Sequence, residues 1–356
     1  MERVLFVTQL IDPDDPVLGF VVPQLGALAA RVDSLTVIAN EVRSVPATFA
    51  ADVISLGKER GRGRLARGAR YEAALVRSIR RIRPTAVLAH MCPSYLSLAA
   101  PIARVTRTPT LLWFVHSANT RSLYVAERLA DAVITAFPNS YPRQGPKIHA
   151  IGHAIDTDAF RWAPVERAGA RALRLVAVGR MSAYKGYEAM IRAVAVARSR
   201  GSNVELRIVG PSVKPSERTH RAELQALIEE HGNCGVRLQD GVPRDAVPAL
   251  LRDADVLVNA TEDRSADKVV FEAMASGRPV LVSSPAFGEL IAPSPIPLAF
   301  LRDDPASLTS CIEAVARASD ADLTAIGRRL RRRIEAEHSL EHWADRVAQL
   351  IGQLHR

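Results

Sequence analysis

Short runs of β-branched and apolar residues alternate with amphipathic helical patterns along the whole chain. In the first half, strand-like runs occupy residues 4–7, 35–38, 86–89, 110–115, 132–134 and 148–151. In the second half, they occupy residues 173–178, 204–209, 236–238, 255–258 and 279–282. Nearly continuous apolar strands separated by helices bury both faces of a sheet, so each half predicts a doubly wound α/β domain with a parallel sheet.

Residues 158–174 carry polar, proline and glycine residues without a periodic pattern, which indicates a linker. Helical patterns at 305–319, 322–336 and 340–354 close the chain. We therefore predict an N-terminal domain at 1–160, a C-terminal domain at 161–338, and a helix at 339–356 that packs back toward the N-terminal domain. In doubly wound sheets ligands bind beyond the carboxyl ends of the strands, so the residues after each strand are the candidates for chemistry.

The composition, with 48% apolar and 24% charged residues, is that of a folded soluble protein. No apolar run reaches the roughly 18 residues that a membrane-spanning helix needs, and the first residues lack the pattern of a signal peptide. These features predict a cytoplasmic location. Cys92, Cys234 and Cys311 are far apart and in no metal-ligand spacing, so we expect buried apolar fillers.

The net charge of +9 is concentrated in one segment, residues 58–83, which holds ten basic and two acidic residues. Its helical part predicts an apolar stripe made of Leu65, Ala69, Ala73, Leu75, Val76, Ile79 and Ile82, with arginines on either side. We expect the segment to dock on an anionic membrane surface near a lipid-linked acceptor. A solvated basic face is the alternative. Nucleic-acid binding is not expected, because Tyr71 is the segment's one aromatic residue.

Two motifs in the second half suit a nucleotide. Arg180 and Lys185, between Gly179 and Gly186, precede a helix whose first amides could join them in holding a diphosphate. Glu272, in a helix that ends at Gly277 just before a strand, could accept hydrogen bonds from a ribose diol. Taken singly, the first motif could be a solvated loop and Glu272 an ordinary helix glutamate.

In order along the chain, these motifs with residues 208–211, 255–259 and 272–280 resemble glycosyltransferase family 4. The resemblance is detailed over about residues 173–285, and residues 152–156 with Phe160 look like that family's exit from its N-terminal domain. It implies the GT-B fold, in which two Rossmann-like domains face each other across a cleft. It also implies a retaining, metal-independent transfer of a sugar from a nucleotide sugar, UDP- or GDP-linked, with no other cofactor.

The resemblance assigns roles residue by residue. Arg180, Lys185 and His116 match the catalytic group, in which the histidine faces the transferred sugar. The donor-binding positions are Gly19, Gly179, Gly210, Val242, Asp267, Lys268, Val269 and Glu272. His90 and Phe20 lie on the acceptor side. A histidine at a strand end is, on its own, more often a polar cap than a catalyst.

The chain departs from the family pattern at one position. Family members often carry two glutamates eight residues apart, and Glu272 matches the second of them. Arg264 occupies the position of the first, and Glu262 is two residues too early. A non-catalytic member that binds a nucleotide sugar or a protein is therefore the alternative function. Arg180, Lys185 and Glu272 favour the enzyme, because a scaffold has no need of a diphosphate site.

Asp253 and Asp255 form the D-x-D pattern that holds Mn²⁺ or Mg²⁺ in a different glycosyltransferase fold. Here they lie between a predicted helix and a buried strand. We therefore expect them to cap a turn, and no metal site is predicted.

Overall fold

The structure is a computed structural model that describes residues 2–15, 17–116, 118–167, 171–232, 234–261 and 266–355. Its strands are β1 (Arg3–Ile11), β2 (Ser34–Val42), β3 (Asp52–Ser55), β4 (Ala86–His90), β5 (Thr110–Trp113), β6 (Ala132–Thr135), β7 (Ile148–Ala150), β8 (Leu173–Val178), β9 (Val204–Val209), β10 (Val236–Gln239), β11 (Val256–Asn259) and β12 (Val280–Val282).

Its helices are α1 (Val21–Ala29), α2 (Arg64–Ile82), α3 (Pro93–Val105), α4 (Arg121–Leu129), α5 (Tyr187–Ser199), α6 (Pro215–Glu230), α7 (Val247–Asp253), α8 (Lys268–Ala275), α9 (Gly288–Ile291), α10 (Pro305–Arg317), α11 (Asp320–Glu337) and α12 (Leu340–Leu354). The chain divides into two compact units, Met1–Ala154 with Glu337–Arg356, and Ile155–Ala336. The described residues contain no helix that is long and apolar enough to span a bilayer.

The first unit is built on a parallel sheet of seven strands in the order β3-β2-β1-β4-β5-β6-β7. Successive side chains of β1 point to opposite faces, as in any strand. Phe6 packs in one cluster with residues of α1 and α12, including Trp343, whose ring meets Trp113 edge to face at 5.6 Å. Leu5 packs with Tyr71 of α2 in a second cluster. Both faces of β1 are therefore covered, which explains its almost continuous apolar sequence.

The second unit is built on a parallel sheet of five strands in the order β10-β9-β8-β11-β12. From β8 the chain builds the sheet first on one side, with β9 and β10, and then on the other side, with β11 and β12. The loops that follow β8 and β11 therefore flank the switch point where ligands bind in such folds. On the outside, α10 packs against α5, and the Thr309 hydroxyl donates to the Ala193 carbonyl at 3.3 Å. The predicted α/β class with two parallel sheets is confirmed.

The segment predicted as a linker, residues 158–174, is held firmly to the second unit in its described part. Arg167 forms an ion pair with Asp320, and Arg278 donates to the carbonyl of Ala163. Arg171 forms an ion pair with Asp255 at 2.7 Å. The segment has no periodic pattern because its described part forms neither a helix nor a long strand, and contacts made by arginines hold it in place. The three cysteines are buried, as predicted.

Candidate active site

The loop after β8 brings Lys185 onto Gly179. A Cβ atom on Gly179 would lie 3.0 Å from Lys185 Cε and 3.3 Å from its Nζ, and the φ of Gly179 is +156°. The Tyr187 hydroxyl donates to the Gly179 carbonyl at 2.9 Å. Lys185 is only 8% exposed, and its ammonium group lies 5.2 Å from the Tyr184 ring centroid. The absence of a side chain at Gly179 thus leaves room for this lysine.

Asp267 connects Lys185 to the loop after the neighbouring strand. Its carboxylate forms an ion pair with Lys185 and accepts a hydrogen bond from Asn259 Nδ2 at 2.8 Å. Asn259, the last residue of β11, also accepts a bond from the Thr261 hydroxyl at 2.6 Å. Because β8 and β11 flank the switch point, the predicted residues Lys185 and Asp267 meet where the fold places a ligand.

Arg180 makes a second pair of the same kind. Its Nη1 lies 3.2 Å from Glu217 Oε1, and the other oxygen of Glu217 accepts from the amides of Lys214 and Val213 at 3.0 and 2.8 Å. The Lys214 amide, with that of Val213 and the charge of Arg180, lowers the pKa of Glu217. The Arg180 side chain is 41% exposed, so the guanidinium remains open to a ligand.

The loops after β8, β9 and β10 lie side by side. Met181 donates its amide to the carbonyl of Pro211 at 3.1 Å, and Gly210 donates to that of Gln239 at 3.1 Å. A Cβ on Gly210 would collide with the Gly179 carbonyl. The predicted donor positions Gly179 and Gly210 are therefore in direct backbone contact. Val242, in the loop that follows β10, is partly exposed.

Helix α8 begins with the predicted donor positions Lys268 and Val269, and its first-turn amides point out of the helix. Burial lowers the pKa of Lys268 to about 7, against the opposing effect of Glu272. Glu272 itself, one turn further along, is 1% exposed. The start of this helix thus presents amides and a titratable amine beside a buried carboxylate.

Arg244 was not predicted from the sequence, yet it holds Glu272. Its two terminal nitrogens donate to the two carboxylate oxygens, Nη1 to Oε2 at 3.1 Å and Nη2 to Oε1. The guanidinium lies 5.3 Å from the Phe160 ring centroid. Burial opposes the charge on Arg244, but Glu272 and Asp156 raise its pKa. The sequence did contain a signal for Arg244, because it is a basic residue in the loop that follows a strand, where ligands bind in such sheets.

In the first unit, the predicted residues lie at the carboxyl ends of β1, β4 and β5. Gly19 closes a tight turn, because a Cβ there would lie 2.7 Å from the Asp15 carbonyl. His90 is fully buried, with Nδ1 3.3 Å from the Thr8 hydroxyl and its ring stacked on Phe6. Phe20 meets the His90 ring edge on at 6.1 Å.

His116 differs from His90 in being exposed. Its Nδ1 accepts a hydrogen bond from the Ala118 amide at 2.8 Å, so Nε2 is the ring nitrogen that this contact leaves available. Of the two predicted histidines, this one is accessible to a substrate.

Asp253 and Asp255 are occupied by arginines. Asp253 bonds Arg174 at 2.9 Å and Arg207 at 2.6 Å, and Asp255, 2% exposed, pairs with Arg171. Within the described ranges, no three His, Cys, Asp or Glu residues are grouped to hold a metal ion. The predictions for Glu262 and Arg264 lie outside the described residues.

Part of this chain is similar in sequence to known glycosyltransferases. Residues 172–318 match the model of a family described as glycosyl transferases group 1. D-inositol 3-phosphate glycosyltransferase of Corynebacterium glutamicum (strain R) is 31% identical over 112 residues, which are 30% of this chain and 26% of that protein. The match therefore spans about a quarter of the curated relative's length.

Two solved structures resemble the whole chain. HepE of Anabaena, in complex with UDP, has a TM-score of 0.76 at 17% identity, over 99% of this chain and 100% of that one. Sucrose-phosphate synthase of Thermosynechococcus elongatus has a TM-score of 0.74 at 17% identity, over 99% of each chain. The chain thus has the GT-B fold of two Rossmann-like domains, and residues 172–318 form a domain of the glycosyl transferases group 1 kind.

Proposed function

We propose that this protein is a glycosyltransferase of the family 4 type, which moves a sugar from a nucleotide-sugar donor on the second unit to an acceptor on the first. The observation that carries the proposal is the arrangement of Arg180 and Lys185, each beside a carboxylate, around Gly179 at the switch point of the second sheet. The family match over residues 172–318 covers all of these positions.

The paired carboxylates explain how two cations stay in place without a ligand. Asp267 and Glu217 offset the positive charges of Lys185 and Arg180 in the free protein. A diphosphate supplies more negative charge and more acceptor oxygens than either carboxylate. Arg180 can bind it with a planar fork, and Lys185 acts as a point charge.

The same cations stabilise the leaving group. When the bond between the sugar and the diphosphate breaks, negative charge grows on the diphosphate oxygen. In this proposal, Arg180, Lys185 and the amides at the start of α8 are hydrogen-bond donors already held where that negative charge develops. Preorganised donors of this kind usually make the largest single contribution to lowering the activation barrier. Two fixed cations can do the work that a divalent metal does elsewhere, so the proposed transfer is metal-independent, and by family resemblance it retains the anomeric configuration.

Glu272 is proposed to bind the ribose of the donor. Each carboxylate oxygen has two lone pairs, and Arg244 uses one on each. The remaining lone pairs can accept the two ribose hydroxyls. UDP-sugars are the first donors to test, because HepE has been solved with UDP and with UDP-glucose, and GDP-sugars follow.

The first unit is proposed to supply His116 at the transferred sugar and to dock on an anionic membrane surface through residues 58–83. Arg77, Arg80 and Arg81 are exposed on α2, and they line an open groove of about 670 Å³ with Ala73 and Val76. Cations beside small apolar side chains suit lipid headgroups. The acceptor that we propose is therefore lipid-linked.

Lys185→Ala tests the proposal. We expect UDP-glucose or another nucleotide sugar to raise the unfolding temperature of the wild-type protein, and the variant to lose that shift. Turnover of the matching donor should fall about 100-fold or more. The control is Lys214→Ala, which removes an exposed lysine from the same unit. Normal transfer by a folded Lys185→Ala protein would contradict the proposal.

A further inference from the structure

The basic segment 58–83 does not present all of its arginines to solvent. Arg67 turns inward and donates from Nη1 to Asn40 Oδ1 at 3.0 Å. The same oxygen accepts the Tyr95 hydroxyl at 3.0 Å, while Asn40 Nδ2 donates to Gln9 Oε1 at 3.2 Å. Asn40, 7% exposed, is thus the centre of a polar network that fixes both Arg67 and the Tyr95 hydroxyl.

The charge of Arg67 is not neutralised within this network. Asn40, Tyr95 and Gln9 are uncharged, and no carboxylate of the described residues lies within ion-pair distance of Arg67. The nearby Glu41 is already taken by Lys58 at 2.7 Å and Arg43 at 2.6 Å. Arg67 therefore differs from Arg180 and Arg244, which each have a carboxylate partner.

One donor of Arg67 is also unused. Its Nε is shielded from water and has no hydrogen-bond partner among the described residues. A buried donor without an acceptor costs stability, and the cost is larger for a charged group. An acceptor from outside the chain would remove this cost.

The position of this network favours a ligand. Gln9 and Asn40 lie near the carboxyl ends of β1 and β2, and Tyr95 lies in the first turn of α3, after β4. This is the edge of the sheet at which open α/β folds bind their ligands. Arg70, one turn beyond Arg67, donates to the Ser55 carbonyl at 3.3 Å and adds positive potential there.

We propose that Arg67, oriented by Asn40 beside the Tyr95 hydroxyl, binds a phosphate group on the acceptor. The assignment to an acceptor rests on the proposed function, but the phosphate site itself does not. A phosphate offers oxygens to the Arg67 guanidinium, and a shift of the side chain that uncovers Nε gives it the two parallel hydrogen bonds that make arginine a strong phosphate ligand. The phosphate could belong to a soluble sugar phosphate or to a lipid headgroup.

The test is phosphate binding in a chain whose diphosphate site has been disabled. In the Lys185→Ala background, binding of inorganic phosphate and of a hexose phosphate is followed by phosphorus NMR titration. We expect Arg67→Gln to weaken binding about tenfold or more, since a charged hydrogen-bonded pair is lost. Arg104→Gln, which removes an exposed arginine from α3 in the same unit, should leave it unchanged. Arg67→Lys keeps the charge but loses the fork, and should also weaken binding.

A monomeric short-chain phosphatidate identifies the source of the phosphate. Arg67-dependent binding of either probe supports the site, and the tighter probe indicates whether the acceptor is soluble or lipid-borne. If neither binds, or if Arg67→Gln and Arg104→Gln have equal effects in folded proteins, the site does not exist. Titration of the wild-type protein with UDP-glucose is a separate readout, whose failure would contradict the proposed donor site and leave the phosphate result standing.

Discussion

At the scale of single residues, the pair of buried Glu272 and partly buried Arg244 forms part of the proposed nucleotide site. The bidentate contact fixes the carboxylate plane, and stacking of Arg244 near Phe160 fixes the guanidinium in turn. A fixed carboxylate loses little freedom when it accepts ribose hydroxyls, so preorganisation contributes directly to affinity.

Glu272→Gln should therefore weaken binding of the nucleotide. The amide keeps the shape of the side chain, but it loses the charge that strengthens both the ribose bonds and the contact with Arg244. We expect the dissociation constant for the matching nucleotide, measured by calorimetric titration, to rise about tenfold or more. Glu188→Gln, at a side chain that is 61% exposed in the same unit, is the matched control. Equal losses in the two variants would show that Glu272 does not contact the ligand.

The sequence singled out the candidate residues of this site but not their partners. Arg180, Lys185 and Glu272 were selected because their order and spacing resemble a known family, since each of these motifs on its own could be an ordinary loop or helix. Glu217, which pairs with Arg180, also caps α6 through the amides of Val213 and Lys214, and its sequence position suggests only the cap. Contacts between loops depend on the order of the strands in the sheet, and that order could not be derived from the pattern of a single sequence.

At the scale of elements, helix α2 shows a similar limit. The apolar periodicity predicted a buried stripe that includes Leu65, Ala69 and Ala73, but Leu65 is 92% exposed and the two alanines are exposed as well. The buried side chains of α2 are Tyr71, Ala74, Leu75, Ser78 and Ile79. Tyr71 provides the largest buried area and sets the rotation of the helix, and the small alanines cost little at the surface.

This rotation places Arg77, Arg80 and Arg81 on the outward face, where a membrane can be tested. Replacing all three with serine should release the protein from anionic vesicles in sedimentation, because each basic residue near such a surface contributes about 1 kcal/mol. Binding should also fall as salt rises. The control replaces the exposed Arg218, Arg237 and Arg252 of the second unit, which lowers the net charge equally. Recovery of the wild-type protein in the supernatant with anionic vesicles at low salt would exclude docking.

Gly210, directly after β9, packs closely against a neighbouring loop. From the sequence it was proposed only as a donor-binding position, and this packing role was not foreseen. Gly210→Ala places a Cβ against the Gly179 carbonyl, and rigid backbone cannot move aside as a flexible side chain can. We expect a loss of about 1–3 kcal/mol in the free energy of unfolding, measured by denaturant titration. Gly26→Ala, in α1, meets nothing within 4 Å and should be neutral or stabilising. An unchanged midpoint for Gly210→Ala would contradict this close approach.

At the scale of the whole molecule, the alternation of strand and helix patterns was sufficient for the fold class. Buried parallel strands such as β1 and β4 are apolar over most of their length, and this signal does not depend on what pairs with them. β3 escaped prediction because Asp52–Ser55 has two apolar residues and lies at the edge of its sheet, where partial exposure permits polar side chains. The packing of α12 onto the first unit joins residues more than two hundred positions apart, such as Trp113 and Trp343, whose ring centroids lie 5.6 Å apart.

The charge distribution across the second unit leads to the last prediction, that transfer does not need a divalent metal. Asp253 and Asp255, the carboxylates with a metal-binding spacing, are neutralised by Arg174, Arg207 and Arg171, and Asp255 also accepts the Arg174 amide at 2.8 Å. To ligate a metal, these carboxylates would have to give up contacts that hold β8 beside β11. In the proposed function, the cations at the leaving group are instead Arg180 and Lys185. We therefore expect the initial rate of transfer to be unchanged by EDTA, with Lys185→Ala as the control that abolishes it. Loss of activity in EDTA that Mn²⁺ restores would show that a metal, and not the Lys185 and Arg180 pair, carries the charge of the departing diphosphate.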